Sequence, residues 1–380
     1  MAAYGIDHIK SYKEWIADGR VGLLTSITGR NSLNRSTISI LQEMCNLTAL
    51  FGPEHGVRGD LAAGAMVENN VDSATGLPVY SLYGGEGKHI SQEQLDCFDI
   101  LVYDIQDIGV RYYTFLSTLH NVLMDCAKAG KRFVVLDRPN PLGGAIVEGG
   151  ILDMDYSSFV GCYPLPVRYG LTSGEAAMMM NAEMNYGCDL KIVPCSGWKR
   201  NSLFSDWGKL WPMPSLGLPT FETTLLYPGT CLIEGTNLSE GRGTAAPFRI
   251  IGAPFVDAEA LTAAFNQTGL AGVIATPVWF QPTASKYQGE QCGGILLHVT
   301  DAAALRPVIV GVNLLHILRT MYPEDYTILP PYKAGGRPFL ALLSGGADLT
   351  GDWDMAALLE RYEAESMAFI KRKNCYHIYD

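Results

Sequence analysis

Residues 99–140 read DILVYDIQDIGVRYYTFLSTLHNVLMDCAKAGKRFVVLDRPN, and the hydrophobic pattern changes period twice within them. Asp99 to Asp104 is a short continuous apolar run, as in a strand buried on both faces. Tyr112 to Ala129 repeats apolar residues at helical spacing until Gly130 stops it, and Lys131 to Leu136 is a second apolar run. Strand, helix and strand in this order make the βαβ unit of a parallel sheet.

The alternation continues on both sides. Upstream, Val21 to Thr25 reads as a strand, Asn34 to Met44 as a helix, and Leu47 to Phe51 as a strand running into Gly52-Pro53-Glu54-His55-Gly56. Ser91 and Gln94 have capping-box spacing. Downstream, a helix is expected over Thr172 to Asn185 and a strand over Asp189 to Val193. Such a chain forms a parallel sheet covered by helices on both faces. Leu203 to Pro219, rich in Trp, Pro and Gly, reads as a shaped loop. Ile233 to Thr244 reads as a junction, after which the pattern restarts. Helices are expected over Ala258 to Phe265, Val308 to Met321 and Asp354 to Phe369, and strands over Gly272 to Trp279 and Gly294 to Val299. The expectation is an α/β protein of two joined domains, 1–240 and 241–380.

A net charge of −11 over 380 residues offers no surface for polyphosphate, which excludes nucleic acid as a partner. No signal-peptide pattern opens the chain, and no stretch reaches the length of a membrane span. Nine cysteines without a C-x-x-C spacing read as reduced thiols, so a cytoplasmic location is expected.

In an open parallel sheet, ligands bind beyond the carboxyl ends of the strands. Three such ends carry polar residues: Glu54 and His55; Asp104, Gln106, Asp107 and Arg111; and Asp137, Arg138 and Asn140. Each cluster is also what an ordinary polar turn or an internal salt bridge would look like. A dinucleotide fingerprint is absent, because Thr25-Ser26-Ile27-Thr28-Gly29-Arg30 stands where G-x-G-x-x-G belongs. Gly84-Gly85-Glu86-Gly87-Lys88-His89 lacks the spacing of a phosphate loop, and neither zinc-ligand spacing nor a serine elbow is present. His298 and His316 read as structural. No metal or organic cofactor is expected.

Carboxylate chemistry remains. Glycosidic cleavage uses one carboxyl near the leaving oxygen and a second group at the anomeric carbon. Glu54, set in a glycine-flanked turn, suits the acid, and Asp104, Asp107, Glu234 and Glu240 compete for the second role. Glu175 sits three residues after Thr172 in a capping box, and Glu148 is open to either use. Arg111, Arg138, Arg168, Arg242 and Arg249 suit an acidic ligand or internal pairs. Trp198, Trp207, Trp211 and Trp279 suit a sugar face or the core.

Several long motifs resemble one family. They are Phe51 to Gly56, Tyr103 to Thr114, Leu136 to Gly144, Glu148-Gly149, Pro166 to Glu175 and Glu234 to Thr244. The family is the NamZ-like exo-β-N-acetylmuramidases, formerly a bacterial domain of unknown function. The resemblance runs from about residue 20 to the C-terminus. It implies a glycoside hydrolase that releases N-acetylmuramic acid (MurNAc) from the non-reducing end of peptidoglycan fragments such as MurNAc-GlcNAc. It also implies a Rossmann-like N-terminal domain and a smaller α/β C-terminal domain that closes the substrate cleft. The family's catalytic glutamate falls on Glu54. His55, Asp107 and Glu240 are implied as further catalytic residues. Asp104, Gln106, Arg111, Tyr112, Arg138, Asn140, Arg168, Asn237 and Arg242 are implied as substrate-binding residues. The expected partners are MurNAc-containing disaccharides or muropeptides, and monomer and homodimer are both compatible with the sequence. One departure is Ser26-Ile27-Thr28-Gly29, where relatives usually carry an Asn-Pro/Gln-Thr-Gly turn. Relatives are often exported or lipid-anchored. Three other readings compete: a non-hydrolytic muropeptide-binding protein, an esterase or amidase, and a lyase acting on the lactyl ether.

Overall fold

The structure, a computed structural model, describes residues 2–59, 70–84 and 88–380. Gly85, Glu86 and Gly87 of the glycine-rich Gly84–His89 segment lie outside the described residues.

The first half contains α1 (Gly5–His8), β1 (Arg20–Thr25), α2 (Thr37–Met44), β2 (Asn46–Gly52), β3 (Asn70–Val71) and β4 (Pro78–Ser81). It continues through α3 (Gln92–Leu95), β5 (Ile100–Asp104), α4 (Phe115–Lys128), β6 (Arg132–Leu136), α5 (Ser173–Glu183) and β7 (Leu190–Val193). Its seven strands run in the order β3-β4-β2-β1-β5-β6-β7, all parallel except the edge pair β3–β4. The continuous apolar runs have the expected cause: every residue of β5, and all of β1 after Arg20, is buried. Leu24 of β1 lies between Phe51 of β2 and Tyr103 of β5, so the three strands end at one edge and Glu54 and Asp104 leave the sheet together.

The two capping boxes form. Thr172 accepts from the Glu175 amide at 3.2 Å while Glu175 accepts from the Thr172 amide at 3.0 Å, and Ser91 and Gln94 do the same for α3. Glu175 is therefore structural.

The second half contains α6 (Phe221–Thr230), β8 (Ile250–Ala253), α7 (Ala258–Gln267), β9 (Val273–Phe280), β10 (Cys292–Val299), α8 (Pro307–Met321), α9 (Phe339–Ser344) and α10 (Met355–Lys373). Its strands form an antiparallel sheet in the order β8-β10-β9. No element is expected from the sequence over the segment that forms α6, whose interior holds Pro228 and Gly229, residues unfavourable to a helix. Gly229 is required by contact: a Cβ there would stand 1.8 Å from the Pro307 carbonyl oxygen of α8. The two halves share one apolar core that includes Phe51 and Leu315, and a second core lies on the other face of the large sheet. From α10, Lys373 Nζ donates to the carbonyls of Gly144 at 2.6 Å and Gly170 at 2.8 Å, tying the last helix back to the first half.

Candidate active site

A cavity of about 1000 Å³ opens between the two halves. That volume is at the upper end of the range for small-ligand pockets. One wall comes from the large sheet's carboxyl edge and carries Glu54, His55, Tyr83, Thr114 and Phe159; the other carries Glu234, Glu240, Arg242, Lys286 and Tyr332.

The position of Glu54 follows from the turn after β2. His55 has φ +74° and Gly56 φ +75°, and the Gly56 amide bonds the Pro53 carbonyl at 2.9 Å. Left-handed backbone is costly at a histidine, and such strain is held at functional sites. The turn aims Glu54 into the cavity while leaving it only 8% exposed. Thr114 Oγ1 donates to Glu54 Oε2 at 2.6 Å. Thr114 is the N-cap residue of α4, yet its side chain makes no capping bond, because the hydroxyl is directed at the carboxylate instead. Tyr83 lies beside Glu54 on the same wall. Burial, and then the charge of Glu54, hold its phenol well above the ordinary tyrosine range.

The facing wall is a carboxylate–cation cluster. Arg242 Nε donates to Glu234 Oε1 at 2.7 Å and approaches Glu240 Oε1 at 3.4 Å, while its guanidinium lies 4.9 Å from the centre of the Phe248 ring. Lys286 Nζ is 3.0 Å from Glu240 Oε2 and donates to the carbonyls of Leu238 at 2.7 Å and Ile233 at 3.2 Å. Burial pushes the Glu234 carboxyl above its ordinary value, against the pull of Arg242. Among the described residues, no group of three His, Cys, Asp or Glu side chains is placed to hold a metal.

Of the residues implied from sequence, Glu54, His55, Tyr112, Glu240 and Arg242 line this cavity. The structure does not bring the others there. Asp104 and Arg138 form a buried ion pair at 2.6 Å, braced by the Thr37 hydroxyl on Asp104. Gln106 Nε2 donates to the carbonyls of Asp107 and Pro139. Asp107 is buried against the Tyr169 hydroxyl and the Gly109 amide, and burial raises its carboxyl to about 6. Arg111 has no exposed surface and donates to the carbonyls of Gly150, Leu165 and Leu343. Asn140 bridges Leu142 and Leu171, Arg168 pairs with Glu148 at 3.1 Å, and Asn237 clasps Asp325 and Thr327. Each of these side chains is held by partners in the scaffold, although Asp107 Oδ1, Arg111 Nε and Arg168 Nε are buried without a hydrogen bond.

The tryptophans stay outside as well. Trp198, Trp207 and Trp211 pack in the core, and Trp279 is exposed on β9 away from the cavity. The aromatic lining is Tyr and Phe instead, including Tyr83, Tyr113, Phe159 and Tyr332. His298 bonds Thr276, and His316 packs on Trp353. In the unusual turn after β1, the Thr28 hydroxyl accepts from the Gln106 amide at 3.0 Å and so braces the end of β5. Sequence reasoning gave no role to Lys286, a single lysine in a loop with no pattern around it. Thr114 carried a signal, since it closes the Tyr103–Thr114 motif, but its partner lies 60 residues away.

Two family descriptions match the chain: "Exo-beta-N-acetylmuramidase NamZ, N-terminal" over residues 21–222 and "Exo-beta-N-acetylmuramidase NamZ, C-terminal" over residues 225–379. The peptidoglycan beta-N-acetylmuramidase NamZ of Bacillus subtilis (strain 168) is 41% identical over 99% of this chain and 91% of its own length. Two crystal structures of DUF1343 family proteins from Bacteroides fragilis are similar over the whole of this chain and 99% of theirs. Their TM-scores are 0.91 and 0.77, at 33% and 28% identity.

Proposed function

The chain belongs to the NamZ exo-β-N-acetylmuramidase family, and on that premise we propose that Glu54 is its general acid. The protein is an exo-acting glycosidase of MurNAc-containing peptidoglycan fragments. The observation that carries the assignment is the placement of Glu54: a carboxyl on a strained turn, gripped by Thr114 and flanked by Tyr83, facing a carboxylate–cation cluster across one cavity.

In this reading the terminal MurNAc enters the cavity with its glycosidic oxygen at Glu54. Glu54 donates its proton to that oxygen as the bond to the anomeric carbon breaks. Thr114, donating to Oε2, fixes the carboxyl plane and directs the proton to substrate. Glu240, ion-paired with Lys286 and Arg242, is the facing carboxylate offered to the positive charge developing on the sugar or to the attacking water. Asp107, Asp104, Arg138 and Arg168 act by holding the strand ends in place, and Tyr112 and His55 shape the wall. The preferred substrate is a MurNAc-GlcNAc disaccharide or muropeptide. Among the described residues no helix is long and apolar enough to cross a membrane. Support for a reducing, cytoplasmic setting is that all nine cysteines are unpaired.

The test is product analysis by mass spectrometry on MurNAc-GlcNAc and on GlcNAc-MurNAc, with wild type and Glu54→Gln. Free MurNAc from the first substrate only, lost in the variant, is the expected result. Intact disaccharide with wild type overturns the substrate assignment, and cleavage that persists in Glu54→Gln overturns the role of Glu54.

A further inference from the structure

We propose that Lys88 selects for an acidic sugar, its ammonium receiving the carboxylate carried by the terminal ring. The inference rests on the glycosidase reading above and names the residue that reads the lactyl group.

Among the described residues, three Lys and Arg side chains line the cavity: Lys88, Arg242 and Lys286. Arg242 is committed to Glu234 and Glu240, and Lys286 is enclosed by Glu240 and backbone carbonyls. Of the other arginines the sequence offers to an acidic ligand, Arg111, Arg138 and Arg168 are buried elsewhere on carbonyls or carboxylates, and Arg249 pairs with Glu222. Among the described residues Lys88 makes no ion pair, and its Nζ lies 4.7 Å from the centre of the Phe159 ring. Among the described residues, a substrate carboxylate entering this cavity therefore meets one cation that makes no ion pair.

Its placement relative to Glu54 is fixed by one helix. Asn121 of α4 donates to the Lys88 carbonyl at 3.0 Å, and Asp125 of α4 accepts from the Ile90 amide at 2.8 Å and contacts His89 Nδ1 at 3.0 Å. Thr114, at the start of the same helix, holds Glu54. The rise from residue 114 to residue 121 is about 10 Å, a span that a hexose ring and a lysine stem together can cover. Phe159 and Tyr83 line the same wall with ring centres 5.8 Å apart, and the charge of Glu54 acts on the Tyr83 phenol. Ammonium, aromatic face and catalytic carboxyl thus follow one another along a single wall.

The chemistry favours an acid at this position. Half-buried beside an aromatic ring, an ammonium–carboxylate contact is stronger than in bulk water. N-acetylglucosamine has no group to meet Lys88, whereas the lactyl ether of MurNAc ends in a carboxylate. In a protein of net charge −11, an anionic ligand needs such a local cation.

The experiment compares wild type, Lys88→Met and Lys88→Arg. It measures KM on a chromogenic β-MurNAc glycoside and inhibition constants for free MurNAc and for its lactyl methyl ester. In Lys88→Met we expect KM and the MurNAc inhibition constant to rise about tenfold, as for loss of a charged hydrogen bond, with the ester shifted less than twofold. Lys88→Arg recovers most of the loss. A MurNAc constant within twofold of wild type overturns the proposal. So does equal weakening of acid and ester, which would assign the loss to packing on Phe159. If wild type does not cleave the glycoside, the glycosidase reading fails on its own, and calorimetric binding of MurNAc and its ester to wild type and Lys88→Met still decides the role of Lys88.

Discussion

Replacing Arg242 by methionine takes a guanidinium away from two carboxylates at once. Glu234 loses its ion-pair partner at 2.6 Å, whereas Glu240 keeps Lys286 at 3.0 Å, so the penalty falls mainly on Glu234. Breaking a fully buried pair costs about 3–5 kcal/mol. Here the side chains of Arg242 and Glu234 are 29% and 18% exposed, and solvent screening reduces the cost to roughly 2–3 kcal/mol. For a unit of 150–250 residues that corresponds to a fall in Tm of about 5–10 °C. The sign of its pH dependence follows from burial. Glu234 already has its folded pKa above the ordinary value, so the folded state holds that proton more tightly than the unfolded chain does. Such a group favours the fold at low pH and loses that contribution as pH rises through its folded pKa. Removing Arg242 raises that pKa further, so the deficit of Arg242→Met is larger at pH 8 than at pH 5, because lowering the pH favours protonation of Glu234. Calorimetric melts at the two pH values measure it, and Arg242→Met/Glu234→Gln recovers most of the loss. An equal deficit at both pH values refutes the reasoning. A loss that persists in the double variant would trace it to the stacking on Phe248.

Thr114→Val should lower kcat/KM roughly 10- to 100-fold, the range for losing a hydrogen bond to a charged group, while Thr114→Ser stays close to wild type. Because Thr114 makes no capping bond, Tm should move little, and wild-type kinetics in the valine variant would remove Thr114 from the mechanism. Asp104→Asn leaves Arg138 buried without its carboxylate and should cost about 3–5 kcal/mol of stability with KM nearly unchanged. A tenfold rise in KM at constant Tm would instead return Asp104 to substrate binding.

The large parallel sheet was legible because burial on both faces writes itself locally, as in Ile100-Leu101-Val102-Tyr103. The capping boxes of α3 and α5 were legible for the same reason: donor and acceptor are three residues apart. Glu54 stood out through its turn, a local constraint again. By contrast, no element is expected from the sequence at α6, which holds Pro228 and Gly229 and depends on α8 passing against Gly229. The site was only half legible, because strand ends that serve substrate and strand ends that serve the scaffold use the same residues. Asp104, Arg138 and Arg168 look like ligand-binding groups until their partners are seen.

Period, breaker and cap are properties of a few neighbouring residues, and those alone carry the fold class and the placement of Glu54 at a strand end. Which charges face the cavity is a question of partners brought together by folding. Thr114 reaches Glu54 across 60 residues, Lys286 reaches Glu240 across 46, and Arg111 is consumed by a carbonyl 232 residues away. A buried charge must be paired or hydrogen-bonded wherever the fold supplies a partner. That requirement withdrew three arginines into the scaffold and left Lys88, unremarkable in the sequence, facing the cavity without an ion pair among the described residues.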